Sequence, residues 1–179
     1  MNIIKNNFII ITGGPGGGKS TLLESLSRQG FRYIPETGRA IIAERVNKGL
    51  TPRPGLKEFA KEMFERDITH YLANQHIADT LFFDRSFLDS ASLMHQVDKM
   101  SFKIISEVLQ TYRFNERVFI TPPWKEIYCN DNERDQTFEE AIEVYERLHH
   151  WYELNNYKVV VLPKSAVEDR SRFVLNKIS

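Results

Sequence analysis

The sequence predicts an α/β fold with five short strands in a mostly parallel sheet. Three observations lead there. Short apolar runs recur along the chain at Phe8 to Ile11, Phe31 to Ile34, Leu81 to Phe83, Arg117 to Thr121 and Val159 to Leu162. The stretches between them carry apolar residues at three- and four-residue spacing, the period of an amphipathic helix. Phe8-Ile9-Ile10-Ile11 lacks the polar alternation of a half-exposed strand, so it reads as buried on both faces, as parallel strands are.

Each element follows in chain order. Phe8 to Ile11 is the first strand, with polar residues before it and glycines after it. Residues 19 to 29 form a helix stopped by Gly30. Phe31 to Ile34 is the second strand, and residues 37 to 48 form a helix ending at Gly49. Thr51-Pro52-Arg53-Pro54-Gly55 breaks any regular pattern and is a loop. Leu56, Phe59, Ala60, Met63, Phe64, Ile68, Tyr71 and Leu72 set out a long helix over 56 to 79. Leu81-Phe82-Phe83 is the third strand, ending at Asp84, and helices follow over 86 to 95 and 101 to 112. Arg117 to Thr121 is the fourth strand, closed by Pro122-Pro123. Trp124 to Gln136 is polar and irregular. A stripe from Phe138 through Ala141, Ile142, Tyr145 and Leu148 to Tyr152 is helical, Val159 to Leu162 is the fifth strand, and a last helix runs from about 166 to 176.

The bulk numbers bound the rest. At 179 residues and 41% hydrophobic, the chain suits one domain over 1–179 and little more. Twenty-four basic residues balance twenty-four acidic ones, so no global field draws nucleic acid or a membrane surface. Cys129 is the one cysteine, so no internal disulfide forms, which suits a reducing cytoplasm. The run Phe8 to Ile11 is too short for a signal core or a membrane span.

In an α/β sheet, ligands sit beyond the carboxyl ends of the strands. The residues there are Gly13 to Thr21, Pro35 to Arg39, Asp84-Arg85, and Pro122 onward. Gly13-Gly14-Pro15-Gly16-Gly17-Gly18-Lys19-Ser20 fits G-x-x-x-x-G-K-[ST] at every fixed position, after an apolar strand and before a helix. Glycines let the backbone wrap so that several N–H groups point at one phosphate. Lys19 brings a mobile charge for the β- and γ-phosphates, Ser20 offers a hydroxyl to Mg²⁺, and the helix aims its positive end at the anion. Gly13 to Thr21 thus make the site for a nucleoside triphosphate, taken as ATP with Mg²⁺, and the fold becomes a three-layer P-loop NTPase fold.

A P-loop needs a carboxylate at the end of another strand, and Asp84 supplies it, holding the metal directly or through water. The alternative for Asp84 is to cap the helix starting near Ser86. Glu36, after the second strand, faces the P-loop across the cleft, where an acceptor hydroxyl is oriented or deprotonated. Arg39, three residues on, shares a helix face with Glu36 and suits an anionic group of the acceptor. A plain helix start remains the alternative for this pair. Residues 123 to 136 stand where a mobile lid carries arginines. Arg134 is the best candidate, with Lys125 behind it, and Trp124 or Tyr128 offers a ring to stack on a base. A solvated loop is the competing reading for this segment.

Other features point nowhere in particular. His70 and His76 are six apart, His149 and His150 are adjacent, and neither pair makes a zinc pattern. Asn47-Lys48-Gly49-Leu50 lacks the aspartate of a guanine-reading segment.

With the P-loop, Pro35-Glu36-Thr37-Gly38-Arg39, Phe83-Asp84-Arg85-Ser86 and Pro122-Pro123-Trp124 through Arg134 in order, nearly the whole chain resembles a known group. It is similar to the AAA-type ATPase/kinase-like family that includes the nicotinamide-riboside kinase domain of NadR-type proteins. The resemblance implies a nucleoside/nucleotide-kinase-like P-loop fold, nucleotide binding and a cytoplasmic setting. Motor and remodelling ATPases place a second acid after the Walker-B aspartate, whereas the Asp84-Arg85-Ser86 stretch resembles deoxynucleoside and nucleotide kinases. That likeness implies that Arg85 contacts substrate or phosphate.

Two functions are in view. One is a small-molecule kinase in which Lys19 and Arg134 stabilise the transferring γ-phosphoryl, Ser20 and Asp84 hold Mg²⁺, Glu36 orients the hydroxyl, and Arg39 and Arg85 bind a nucleoside, nucleotide or related acceptor. The other is a nucleotide-dependent switch or slow ATPase/GTPase acting on a macromolecular partner. Arg85 in place of a second acid favours the first.

Overall fold

A computed structural model describes residues 3–97, 102–128 and 137–178. The elements are β1 (Ile3–Ile4), β2 (Phe8–Gly13), α1 (Lys19–Arg28), β3 (Arg32–Ile34), α2 (Thr37–Asn47), α3 (Leu56–Ala73), β4 (Leu81–Asp84), α4 (Phe87–Val97), α5 (Phe102–Thr111), β5 (Tyr112–Arg113), β6 (Arg117–Thr121), α6 (Phe138–Leu154), β7 (Lys158–Val161) and α7 (Val167–Ile178). The main sheet has five strands in the order β3-β4-β2-β6-β7. All pairings in it are parallel, so the predicted "mostly parallel" sheet is wholly so.

The period-two geometry of β2 splits the core in two. Phe8 and Ile10 face one side, where they meet Phe64 and Tyr71 of α3, Phe87 and Leu88 of α4, and Tyr152 of α6. Ile9 and Ile11 face the other, against Leu22, Leu23 and Leu26 of α1 and Val174 of α7. The result is three layers, helices on both faces of the sheet. Aromatic edges knit the larger core: Phe8 meets Tyr71 at 5.3 Å and Phe83 meets Phe114 at 5.1 Å, both T-shaped. The register aligns Ile11 with Asp84 and Gly13 with Thr121, so the ends of β2, β4 and β6 open on one cleft.

Several expectations need correction. The long helix stops at Ala73 instead of 79, because the Asn74 side chain bonds back to the His70 carbonyl at 2.8 Å and ends the turn. Ile77 then drops into the core from a non-helical turn, which Lys5 pins by bonding the Gln75 carbonyl at 2.6 Å. Tyr112–Arg113, the end of the predicted 101–112 helix and just beyond it, form a small parallel sheet with Ile3–Ile4, too short to leave a pattern in sequence. The second strand starts at Arg32, and Phe31 packs edge-on against Phe82 instead. The fifth strand ends at Val161, with Leu162 still bonding its N–H to Ile120 at 2.9 Å. Among the described residues, no helix is long and apolar enough to cross a membrane.

Candidate active site

One cavity of about 1100 Å³ lies over the strand ends. The loop from Gly14 to Thr21 lines it, together with Glu36 and Arg39 of the β3–α2 corner and Arg85 of the β4–α4 corner. Gly18 holds φ at +74° as it leads into α1, and a Cβ there would come 2.7 Å from the Arg170 guanidinium. A Cβ at Gly14 would meet the Ala141 carbonyl at 2.5 Å. The glycines therefore let the loop run tight against α6 and α7, as well as curl around an anion.

Lys19 is buried, 6% exposed, and pairs with Asp84 at 3.1 Å and Glu36 at 4.0 Å. Asp84 Oδ1 is otherwise without a hydrogen-bond donor although buried. Glu36 sits at the N-cap of α2 in extended conformation, its side chain turned to the cleft instead of capping its helix. Arg85 Nε donates to Glu36 Oε1 at 3.0 Å, and Arg39 Nε stands 3.3 Å from Oε2. Burial alone would raise the Glu36 pKa, but Arg85, Lys19 and Arg39 together outweigh it and bring it down to about 2. Glu36 is thus ionised throughout the physiological range and is a weak base. Arg85 adopts a left-handed φ of 68°, and its N–H bonds Ile11 at 2.9 Å. That turn swings the guanidinium back over the cleft, where Nη1 reaches Asp89 Oδ1 at 3.4 Å.

Three residues of the cleft escaped the sequence reading. Asp89 is buried beneath Arg85. It accepts from Thr12, from the Ser86 N–H at 3.0 Å and from the Tyr152 hydroxyl at 2.5 Å, tying β2, α4 and α6 together. Asp67 of α3 lines the cavity and accepts from Thr37 and, at 2.5 Å, from Ser90. Burial pushes its pKa up to about 7; the Ser90 and Thr37 hydroxyls oppose this, and Asp89 and Glu36 add to it. Arg170 of α7, 5% exposed, donates to the Gly18 carbonyl at 3.1 Å and lies 5.5 Å over the Trp124 ring. The helical spacing that marked α3 as a core helix hid Asp67, and nothing local distinguishes Asp89 or Arg170 from surface charges.

Trp124 lines the cavity, whereas Tyr128 packs its ring against Phe138 at 5.3 Å. Lys125 is exposed in a single 3₁₀ turn over Lys125–Ile127 and is not part of the cavity wall. Arg134, Cys129 and the rest of the expected lid lie outside the described residues.

The parallel sheet, the glycine loop and the aspartate ending the neighbouring strand define a P-loop NTPase fold of nucleoside/nucleotide-kinase type. More particularly, the chain belongs to the AAA domain family, whose model matches residues 8–170. Solved structures share the fold. Deoxyadenosine kinase from M. mycoides, with the products dCMP and a flexible dCDP bound, superposes with a TM-score of 0.72 at 17% identity, over 96% of this chain and 98% of that one. NadR protein in complex with NR gives 0.69 at 16%, over 96% of this chain and 50% of that one. Thymidylate kinase from Candida albicans gives 0.64 at 13%, over 97% and 91%. No curated protein matches the chain by sequence.

Proposed function

We propose that the protein is a kinase of one domain that transfers the γ-phosphoryl group of ATP to a hydroxyl of a small metabolite, nucleoside-like in build, in the cytoplasm. The observation that carries this reading is the Glu36 carboxylate, facing the P-loop lysine at 4.0 Å while two arginines hold its oxygens from the other side. A hydrolase needs a group to activate water at the strand end, and Arg85 stands there. The nucleoside and nucleotide kinases among the structural likenesses support the same class.

The loop N–H groups and Lys19 hold the β- and γ-phosphates. Asp84, whose buried Oδ1 has the Lys19 ammonium at 3.1 Å and no other donor among the described residues, and Ser20 at the head of α1 would hold Mg²⁺, which would supply charge neutralisation when bound. Trp124 and Arg170 line the cavity beside the loop and offer a ring and a guanidinium for a nucleotide base to stack on. Glu36 accepts the hydrogen bond of the acceptor hydroxyl and points its oxygen lone pair at phosphorus. The new O–P bond forms as the bridge to the β-phosphate breaks, and ADP departs. Because Glu36 is a weak base, the hydroxyl proton passes to it only late, as the O–P bond forms, and goes on to solvent, so catalysis is mainly positioning and charge neutralisation. Arg39, 45% exposed at the rim, suits an anionic group of the acceptor, and Arg85 braces Glu36 beside the transferring group. Arg134 would complete the charge neutralisation from the lid.

The test is ADP release with ATP·Mg²⁺, with and without a mixed pool of nucleosides, nucleotides and pyridine ribosides. A rate that rises with the pool supports the kinase. A flat, slow rate moves the protein to the switch or ATPase class.

A further inference from the structure

The half of the cavity away from the P-loop has a wall that the kinase reading leaves unexplained. Phe59, Met63 and Asp67 recur every four residues along α3, so one helix face presents two apolar side chains and then a carboxylate to the cavity. Leu93 and Ser90 of α4 line the same space. Thr37, next in sequence to Glu36, donates to one oxygen of Asp67, and Ser90 donates to the other. Both hydroxyls have turned their hydrogens toward the carboxylate, which fixes its orientation. A carboxylate offers about four acceptor positions, so these two bonds leave others for a ligand in the cavity. Asp67 is half-buried, so its remaining acceptor positions are open to the cavity it lines.

What the group can take is narrow. An anion would meet Arg39, Arg53 and Arg85 on the same wall, whereas the ionised Asp67 oxygens can only accept, so the group that meets them is a donor. A hydrated cation is disfavoured by Phe59, Met63 and Leu93. A neutral N–H on a flat ring meets both demands, with its faces against the apolar side chains and its edge at the carboxyl. We propose that Asp67 is a specificity-determining residue that reads an amino or amide N–H of a heterocyclic acceptor, with Thr37 and Ser90 as the residues that position it. The acceptor is then a riboside-type molecule whose ring carries such a group and whose hydroxyl lies at Glu36.

This rests on the proposed kinase, and the test keeps the two apart by reading binding and turnover separately. The full chain is loaded with a non-hydrolysable ATP analogue and Mg²⁺, and calorimetry compares matched pairs: adenosine against purine riboside, and cytidine against the pyrimidinone riboside lacking the amino group. ADP release is measured on the same pairs with ATP. Wild-type protein is expected to prefer the amino-bearing member of at least one pair by ~10-fold or more. Asp67→Leu should erase that preference. Asp67→Asn, which keeps an acceptor oxygen and the shape of the side chain, should retain part of it and serves if the leucine variant does not fold. Wild-type protein that discriminates within neither pair, or variants that keep the full preference, overturn the inference. Discrimination in binding without any ADP release overturns the kinase reading alone. ADP release that ignores the amino group overturns the role of Asp67 alone.

Discussion

Arg85 and Glu36, 49 residues apart, share a hydrogen bond of 3.0 Å between Nε and Oε1, while Glu36 Oε2 faces Arg39 at 3.3 Å and Lys19 at 4.0 Å. One carboxylate thus meets the lysine of the glycine loop and the arginines of the β3–α2 and β4–α4 corners together. Within this cluster the formal charges of Lys19, Arg39 and Arg85 cancel those of Glu36, Asp84 and Asp89.

Glu36→Gln tests the proposed hub directly. The amide keeps the shape but loses the charge that orients the hydroxyl. Acceptor-dependent ADP release should fall about 100-fold or more, within the range seen for positioned acid–base groups. Triphosphate affinity, measured by displacement of a fluorescent nucleotide, should change little. Equal losses in both would place Glu36 in nucleotide binding instead.

Lys19→Ala removes the charge proposed to hold the β- and γ-phosphates. A charge-assisted contact is worth about 1.5–3 kcal/mol, so triphosphate affinity should drop about 10- to 100-fold. The nucleotide-free protein should also melt earlier, because Asp84 is 7% exposed and loses its cation. Thermal scans with and without nucleotide separate the two effects.

Arg85 is constrained by backbone as well as by charge. Its φ of 68° costs a side chain roughly 1–2 kcal/mol that glycine does not incur. Arg85→Ala and Arg85→Gly both strip Glu36 and Asp89 of their shared partner, with an expected loss of about 3 kcal/mol. The glycine variant should lose about 1 kcal/mol less. Urea titrations of the pair decide it, and an alanine variant as stable as the glycine one would contradict the strained turn.

Asp67 gives a pH signature. Its folded pKa, up to about 7, exceeds the ordinary 3.8, so the folded chain binds a proton more tightly than the unfolded chain. Stability from this group is full below pH 3.8 and is lost as pH rises through 7. The ceiling is about 4 kcal/mol, from 1.36 kcal/mol per tenfold change in acid strength, and solvent in the cavity lowers it. Asp67→Asn should therefore raise the melting temperature at pH 8 and leave it nearly unchanged at pH 4. The reverse order would show that Asp67 is held ionised. Glu36 runs the opposite way, its contribution being lost between pH 4.5 and about 2.

Gly18→Ala tests the tight loop. The new Cβ would lie 2.7 Å from the Arg170 guanidinium at a φ of +74°. A loss of about 1–2 kcal/mol in stability is expected, with weakened triphosphate binding as the N–H groups turn away. Circular-dichroism melts and nucleotide titration measure both.

The phosphate loop, the five strands and the strand-end positions of Glu36 and Asp84 are legible in the amino-acid order alone. Their geometry is local: Gly13 to Ser20 contains its own loop, and a β-branched run such as Phe8 to Ile11 states its own burial. Asp67, Asp89 and Arg170 are different. Asp67 meets Thr37 across 30 positions, Tyr152 meets Asp89 across 63, and Arg170 meets Gly18 across 152. Such meetings depend on the strand order β3-β4-β2-β6-β7, which periodicity along one segment does not encode. The pairing of Ile3–Ile4 with Tyr112–Arg113 was likewise decided by a distant contact, as was the turn after α3 that Lys5 holds at Gln75. Sequence specified which residues stand at the strand ends, while the packing of the two helical layers decided which of them face one another across the cleft.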